Sequence, residues 1–330
     1  MLLGECSMKM FTKLVLVSSM AISANAMAMQ SMDDAALSAA TGQDGINIGL
    51  GVTSVTIDKL LIHDNDGYAD NGGATGVNGV IGAGGTGKAG AIVVNNISIT
   101  PNTDNSGAEL LASHNLADLT IDTDAGTAAN GGAFLNVAAK VSGLNISLGE
   151  IGVSGSGTAS TTSIQRGNDA TNYNAILSGL SIKTGKMDAN IQLGAAPQGA
   201  MIKLNTTLAS GLEITNLGIL DKSTIGQTTL TGVASTAAGE IHLDSIKVAD
   251  HGVNSLSVNT DISVVGSSAA AAKDGYLKII SKAPANGTDI YIKGVHLGSA
   301  NAGSIGDVEV QGLKTTYAGG SGAAITISGH

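Results

Sequence analysis

The stretch from Ile290 to Leu297, Ile-Tyr-Ile-Lys-Gly-Val-His-Leu, carries the pattern that decides the fold of this chain. Apolar and polar residues alternate in it, and the alternation is interrupted once, at Lys293 and Gly294. Alternation has the period of a β-strand, and the interruption shifts its phase by one residue. The pattern therefore predicts a strand that contains a β-bulge or turns a sharp corner.

The same pattern recurs from one end of the chain to the other. Copies occupy residues 55–62, 92–99, 139–146, 175–182, 241–248 and, with a threonine in the last apolar position, 308–315. Weaker copies that begin with a histidine occupy residues 114–121 and 251–258. The spacing is uneven, which argues against the fixed period of a regular solenoid. We predict an all-β fold: either an elongated, irregular β-solenoid or a bent β-sandwich whose bulged strands turn matching corners.

The amino-acid composition suits thin, regular β structure. The 330-residue chain is 43% hydrophobic, but it holds 47 glycines, 2 phenylalanines, 5 tyrosines and no tryptophan. Isoleucine, leucine, valine and alanine must therefore form the core. The formal net charge is -10, and Arg166 is the only arginine. Because nucleic-acid binding depends on basic patches and aromatic stacking surfaces, we expect no nucleic-acid partner.

The first 28 residues are organised as an export signal. Lys9 and Lys13 precede an apolar run over residues 14–22, and small residues that end at Ala28 provide a cleavage site. A cut after Ala26 is the alternative. We expect the mature protein in the periplasm, at the cell surface or in the medium of a diderm bacterium. No later run is apolar over the roughly 18 residues of a membrane helix, so an integral membrane protein is not expected.

Two details of this N-terminal segment affect the mature chain. Met8 is a more natural initiator than Met1, since the residues before it resemble an upstream extension. Cys6 is the only cysteine, and it lies before the apolar run, so it is removed with the signal peptide. We therefore expect a mature protein without disulfides or a lipid anchor, held together by packing alone.

The mature chain divides into two predicted regions. Residues 29–100 combine a short helix over residues 31–42, which starts at a serine cap and ends at a glycine, with the first strands and a glycine-rich loop over residues 64–88. Residues 101–330 form an irregular, repeated β region. The cleanest alternation is found at residues 187–193 and predicts a sheet with one apolar face and one wet face.

An acidic turn after the second predicted strand is the best candidate for a ligand site. Asp64, Asp66 and Asp70 surround Gly67 and could supply three carboxylates to calcium. The match to an EF-hand loop is partial, because its first and last ligand positions fall on residues without coordinating side chains. The alternative is a plain acidic turn after a strand. Calcium is the one cofactor that the sequence suggests.

No constellation of catalytic residues is evident. No serine lies in a GxSxG context, the acidic residues are scattered, and no cysteine follows the signal peptide. His242 and His296 occupy polar positions of the strand pattern, so we expect both to face solvent. No histidine pair has the short helical spacing of a zinc site. We predict a non-enzymatic protein.

Several stretches resemble a known family of secreted proteins. They are residues 28–34 (Ala-Met-Gln-Ser-Met-Asp-Asp), 37–46 (Leu-Ser-Ala-Ala-Thr-Gly-Gln-Asp-Gly-Ile), 62–67 (Ile-His-Asp-Asn-Asp-Gly), 90–92 (Gly-Ala-Ile) and 325–330 (Ile-Thr-Ile-Ser-Gly-His). In them the chain resembles the FilA-like family of pilus-system proteins, whose N-terminal domain has no known function. The resemblance implies export, association with the cell surface and a pilus or fimbrial connection.

Our first hypothesis is an exported, non-enzymatic surface or pilus-associated protein with a structural or adhesive role. Its partners would be other pilus or cell-envelope proteins, and its sheet edges could also pair with a second copy of the chain. One alternative is a periplasmic module that holds lipid or another hydrophobic ligand on an apolar sheet face. Another is a calcium-dependent adhesin that uses Asp64, Asp66 and Asp70.

Overall fold

The computed structural model describes residues 45–68, 85–267 and 275–329. The chain divides into two units, Met1–Ile46 and Asn47–His330, and almost all described residues belong to the second. The predicted signal peptide and the predicted helix over residues 31–42 lie outside the described residues. Within them, no helix is long and apolar enough to cross a membrane.

The described part of the chain is all-β, as predicted. Its only α-helical segment is a single turn, α1 (Asp104–Gly107), and two 3-10 turns lie at Ala128–Asn130 and Lys222–Thr224. The strands form two large sheets and one small hairpin of β18 (Thr316–Tyr317) and β19 (Gly320–Ser321).

The strands are numbered in chain order, and each large sheet mixes early and late ones. Sheet A contains, in spatial order, β1 (Ile46–Leu50), β4 (Ala117–Asp124), β5 (Phe134–Val141), β10 (Met187–Gly194), β11 (Ile202–Leu208), β14 (Leu256–Val265), β15 (Tyr276–Lys282) and β20 (Ala323–Ile327). Sheet B contains β17 (Ser304–Leu313), β16 (Thr288–Gly298), β13 (Gly239–Asp250), β12 (Leu212–Asp221), β8 (Asn168–Leu177), β7 (Ile151–Ser156), β3 (Gly90–Pro101), β6 (Leu144–Leu148) and β9 (Leu180–Lys183), and β2 (Val55–His63) also pairs with β3.

Strands pass from one sheet to the other through short corners. β5 continues into β6 through Ser142 and Gly143, and β9 continues into β10 through residues 184–186. Further corners occupy residues 209–211, 251–255 and 283–287. All pairings whose register is defined in the described chain are antiparallel, so the parallel stacked coils of a β-solenoid are not found there. The matching corners fit the bent-sandwich alternative.

Buried polar side chains bond to the backbone at the corners. Ser142 is fully buried, and its hydroxyl donates to the carbonyl oxygen of Asn115 at 2.7 Å and accepts the N–H of Leu111 at 3.1 Å. The Asn102 amide donates to the carbonyl oxygen of Thr184 at 3.0 Å. These bonds satisfy backbone groups that the corners remove from the regular sheet ladders, which offsets the cost of burying them.

Copies of the sequence pattern align in space as one row of isoleucines across sheet B. Each residue of this isoleucine row lies directly opposite the next in the register of the neighbouring strand. Its members are Val55, Ile99, Ile146, Ile182, Ile214, Ile246, Ile292 and Val308. Seven of the eight are half-buried, the exception being the edge residue Val308. Cross-strand apolar pairs of this kind are the unit of sheet stabilisation, at roughly 0.2–1 kcal/mol each.

The predicted interruption is a real break in strand geometry. Its second residue has a positive φ in four strands of sheet B: 50° at Asn96, 58° at Asn216, 64° at Gly294 and 64° at Gly312. Between β12 and β13, and between β13 and β16, the register is the same on both sides of the break, so the neighbouring strands turn a corner together. Between β16 and β17 the register shifts, which is a β-bulge. Both forms of the prediction therefore occur.

The break divides sheet B into two halves, and the apolar positions of the pattern lie on opposite faces of the sheet in the two halves. The corner half comprises residues 245–250 of β13 and their neighbours on the adjoining strands, and the far half comprises residues 239–243 and their neighbours. In the corner half the isoleucine row is covered, whereas in the far half Ile241 is 47% exposed and His242 only 9% exposed. Our expectation that His242 and His296 face solvent is wrong, because the apolar positions change face at the break while the strand keeps alternating.

The wet face predicted for residues 187–193 is partly covered. Asn190 and Gln192 of β10 are bonded to Gln198, whose segment folds back over the strand. Gln192 and Asn190 also donate to the side-chain oxygen of Asn136 on β5. Because each amide finds a partner, the polar face tolerates this burial.

Candidate functional site

The predicted calcium turn follows β2. The carboxylate of Asp64 accepts the N–H of Asp66 at 3.4 Å, a contact that stabilises the turn itself. Gly67 has a φ of 70°, and a Cβ there would collide with the carbonyl of Lys88, so the turn needs glycine. Asp70 lies outside the described residues. The calcium site of Asp64, Asp66 and Asp70 therefore stays a prediction.

The far half of sheet B presents an apolar ladder on its exposed face. Its seven residues lie on seven strands, and each is the direct cross-strand partner of the next. They are Leu60, Val94, Ile151, Leu177, Ile219, Ile241 and Leu297. Leu60, Ile219, Ile241 and Leu297 are all exposed, Leu297 by 51%. The three residues between Leu60 and Ile219 are half-buried. The contiguous exposed part is Ile219, Ile241 and Leu297, and exposed apolar surface of this kind marks interaction sites more often than ordinary monomer surface.

The same face of the corner half carries charges instead. Lys183, Glu213, Lys247, Tyr291 and Glu309 are successive cross-strand partners on five strands, and we call them the charged ladder. They line a shallow groove of about 820 Å³. Lysine and glutamate alternate along most of the ladder, so most neighbouring side chains carry opposite charges and attract each other.

Two ion pairs involve lysines of the charged ladder. Lys183 Nζ lies 2.8 Å from Asp104 Oδ2 in α1, and Lys247 Nζ lies 3.6 Å from Glu213 Oε1. The hydrogen bond to Asp104 raises the pKa of Lys183 above its ordinary value. Both pairs are at least partly exposed, so each contributes little to stability. The groove has mixed charge and no catalytic constellation.

The covered face of the far half holds a cluster of two histidines and two carboxylates. His242 of β13 and His296 of β16 are direct cross-strand partners, with ring centroids 5.9 Å apart. Their side chains are 11% and 14% exposed. Glu240 Oε1 lies 3.1 Å from His242 Nδ1, and Asp244 Oδ1 lies 3.2 Å from His296 Nε2. We call these four residues the histidine cluster.

The Glu240 side chain connects this cluster to the surrounding backbone. Its Oε1 also accepts the hydroxyl of Ser178 at 3.1 Å, and its Oε2 accepts the N–H of Ala300 in the β16–β17 turn at 3.1 Å. His296 Nδ1 bonds to the carbonyl oxygen of Ala302 in the same turn at 2.6 Å. The histidine cluster therefore fastens the β16–β17 turn to β13. Among the described residues, no group of three or more His, Cys, Asp or Glu side chains is arranged to hold a metal ion.

Sequence reasoning missed this cluster because its members are far apart in the chain. His242 and His296 each follow an apolar residue of the pattern, which made them resemble ordinary surface positions. The available signal was their position relative to the interruption. His242 precedes the break and His296 follows it, and in antiparallel neighbours those positions meet on the covered face.

The comparisons with known proteins leave the activity open. No curated protein and no solved structure matches the chain. The match that is found covers the N-terminal part, up to the segment that follows β4. Residues 8–127 match the model of a family described as a family of unknown function (DUF6160).

Proposed function

We propose that the protein is an exported, non-enzymatic surface protein, structural or adhesive in role, that joins cell-envelope or pilus proteins by adding a strand to its sheet edge. The observation that carries the proposal is the exposure of β17, which lies at the edge of sheet B. Nine of its ten residues are exposed, and β16 is its only partner among the described strands. A long exposed edge offers unpaired N–H and C=O groups to a strand of another chain.

The side chains of β17 support the same proposal. Ile305, Val308, Val310 and Leu313 are exposed, Ile305 by 67%. They occupy both faces of the strand, a composition typical of strands that are covered on both sides. A charged residue on an edge strand normally opposes pairing with another chain. Asp307 opposes it only weakly, because its carboxylate accepts the hydroxyl of Tyr291 at 2.5 Å and the N–H of Gly294 at 2.8 Å.

Export and a pilus connection come from the sequence: the N-terminal signal and the resemblance to FilA-like proteins. We interpret the two sheets as a bent β-sandwich, a fold that leaves its outermost strands free to accept a neighbour. β1 and β20 at the two edges of sheet A also carry exposed isoleucines, among them Ile48 and Ile325. An edge-pairing protein with several such strands suits an assembly role better than a catalytic one.

Light scattering coupled to size-exclusion chromatography tests this proposal on the full chain across a range of concentrations. We expect the wild-type protein to form larger species as the concentration rises. A double variant, Ile305→Lys with Val310→Lys, places charge on β17 and should remain monomeric. Leu230→Lys, at a fully exposed loop position away from the edge, is the matched control and should assemble like wild type. A wild-type monomer at all concentrations, with no cell-surface fraction, would contradict the proposal.

A second candidate is a periplasmic module that binds lipid or another hydrophobic molecule. The observation that favours it is the apolar ladder, which an acyl chain could cover as well as a protein could. Native mass spectrometry of the purified protein distinguishes the candidates. Co-purified lipid that is lost in Ile241→Lys, with monomers throughout, would favour the lipid-binding function over assembly.

A further inference from the structure

Sheet B ends at two strands, β2 and β17. β9 pairs with β6 on one side and with β12 on the other, so it lies inside the sheet. Among the described strands, β2 pairs only with β3, and β17 pairs only with β16. Most residues of both strands are exposed. Either end of this sheet could therefore accept a strand of another chain.

The number of strands decides how these two edges relate to each other. The isoleucine row crosses eight strands, from Val55 of β2 to Val308 of β17, and every pairing along it is antiparallel. Because eight is an even number, β2 and β17 run in opposite directions. Hydrogen-bonded and non-hydrogen-bonded pairs alternate along such a row, so its first and last pairs are of the same kind. The outward sides of Val55 and Val308 are then both suited to the other kind, and the two edges are complementary.

Sheet A has the same property. A second row crosses it through direct cross-strand partners from β4 to β20. Its members are Ile121, Val137, Ile191, Ile202, Ile262, Ile279 and Ile325. The Leu116 N–H donates to the Leu50 carbonyl oxygen at 2.8 Å, and the Thr120 hydroxyl donates to the Asn47 side-chain oxygen at 2.9 Å, so β1 is antiparallel to β4. Sheet A is thus also eight antiparallel strands wide, and its edge strands β1 and β20 lack the charged residues that usually oppose pairing.

The order of the chain groups the four edges into two pairs. β1 and β2 are consecutive strands joined by residues 51–54, and we call them the N-terminal edges. β17 and β20, the C-terminal edges, are separated in sequence by the small hairpin of β18 and β19. We propose that copies of this chain join head to tail, with β17 and β20 of one copy paired with β2 and β1 of the next. This proposal rests on the proposed function and names a second copy of the chain as the partner.

The apolar residues of β17 and β2 select one register for their pairing. In that register each of three apolar residues of β17 lies opposite an apolar residue of β2. The pairs are Val308 with Ile57, Val310 with Val55, and Ile305 with Leu60. Five of these six residues are exposed in a single copy, and only Val55 is half-buried. The first two pairs continue the face of the isoleucine row, and the third continues the apolar ladder into the next copy.

Charge opposes the pairing of β17 with a second β17. Its two charged residues, Asp307 and Glu309, are both acidic, and like charges on paired strands are destabilising. The charged residues of β2 are Asp58 and Lys59, one of each sign. A contact between two β17 strands would also leave the N-terminal edges unpaired. The head-to-tail contact uses the edges of both sheets, and because it is heterologous it generates an open filament or a closed ring.

Two edge-blocked variants test the head-to-tail contact, because lysine on an edge strand opposes pairing. Ile305→Lys with Val310→Lys blocks β17, and Leu60→Lys with Ile62→Lys blocks β2. Circular dichroism first confirms that both variants are folded. By light scattering coupled to size-exclusion chromatography, we expect each variant alone to be monomeric. Their equal mixture should form a dimer and nothing larger, since one intact junction is left.

The outcomes separate this proposal from the proposed function. If wild type assembles but the β2 variant assembles equally well, or the mixture stays monomeric, the head-to-tail contact is overturned and edge pairing with another partner stands. A wild-type protein that is monomeric at all concentrations contradicts both.

Disulfide formation tests the register without blocking an edge. Cys6, the only cysteine, is replaced by serine, and Val55→Cys is combined with Val310→Cys. Antiparallel partners have Cα atoms about 4.5–5.5 Å apart, within the range of a disulfide. Mild oxidation should give a ladder of linked species on a non-reducing gel. Val55→Cys with Leu230→Cys, at a fully exposed loop position, is the matched control and should give none.

The single variant Val310→Cys completes this experiment. Head-to-tail pairing places its thiol beside β2 of the next copy, so we expect it to stay unlinked. Dimers of this variant would show that β17 pairs with β17 and would overturn the proposal. The absence of a ladder from the double-cysteine chain, under conditions in which that chain assembles, would overturn it as well.

Discussion

The corner half and the far half of sheet B share strands and a sequence pattern, yet they present opposite surfaces. In the corner half the isoleucine row is covered and the charged ladder is exposed. In the far half the covered face holds Gly218, His242 and Ser154 together with the fully buried Val93, and four of the seven residues of the apolar ladder are exposed. The interruption shifts the phase of the pattern by one residue, so the apolar residues before it and after it lie on opposite faces of the strand.

This exchange has an energetic consequence. Apolar burial stabilises a fold at roughly 25 cal/mol per Å² removed from water, and the half-buried isoleucine row contributes such a gain within one chain. Four of the seven residues of the apolar ladder are exposed, so part of the gain from burying them is realised only when something covers the ladder. The isoleucine row thus stabilises the monomer, whereas the exposed part of the apolar ladder is suited to contact with a partner.

The largest expected effect compares two isoleucines of one strand. Ile246 belongs to the covered isoleucine row and Ile241 to the exposed apolar ladder, five residues apart on β13. We expect Ile246→Ala to lower the free energy of unfolding by about 2 kcal/mol or more, because it leaves a cavity. Ile241→Ala should cost less than about 1 kcal/mol in the monomer. Urea unfolding followed by circular dichroism measures both; equal costs would mean that the faces are not exchanged at the break.

A smaller effect separates two buried serines. Ser142 at the corner bonds two backbone groups, so Ser142→Ala leaves the Asn115 carbonyl and the Leu111 N–H unpaired and should cost about 1–3 kcal/mol. Ser154 of the far half accepts a bond from the Asn168 side chain at 3.0 Å. That amide can turn to solvent, so Ser154→Ala should cost less than Ser142→Ala. Thermal unfolding of the two variants measures the two stability losses. A larger loss for Ser154→Ala would show that the buried polar bonds of the far half contribute more to stability than those of the corner.

The sequence was sufficient to predict the strands, the break and the matching corners, because these depend on local periodicity. Its pattern also fits residues 212–219, which form most of β12. The covered face could not be predicted, since alternation gives the relative phase of side chains but not which phase is buried. The histidine cluster was accessible only in part: the positions of His242 and His296 relative to the interruption can be read from the sequence, but their contact depends on the register of β13 with β16.

The smallest effect is a pH response at the corner. The Asp289 carboxylate accepts the N–H of Gly252 at 3.0 Å, the ring of His251 at 2.7 Å and the N–H of Gly312 at 2.7 Å. These bonds, led by the one from Gly252, lower the pKa of Asp289 to about 2. Its contribution to stability is therefore present above the ordinary pKa of 3.8 and is lost as the pH falls through the lower value.

Asp289→Asn should reduce stability at neutral pH, and its difference from wild type should shrink as the pH falls from about 4 towards 2. Acid unfolding followed by circular dichroism measures this difference. Asp66→Asn, which removes one negative charge from an exposed turn, is the control for net charge. A difference from wild type that does not change with pH would show that Asp289 acts by shape and not by charge. A difference that closes as the pH falls towards about 2 would show that the charge of the Asp289 carboxylate holds this corner together.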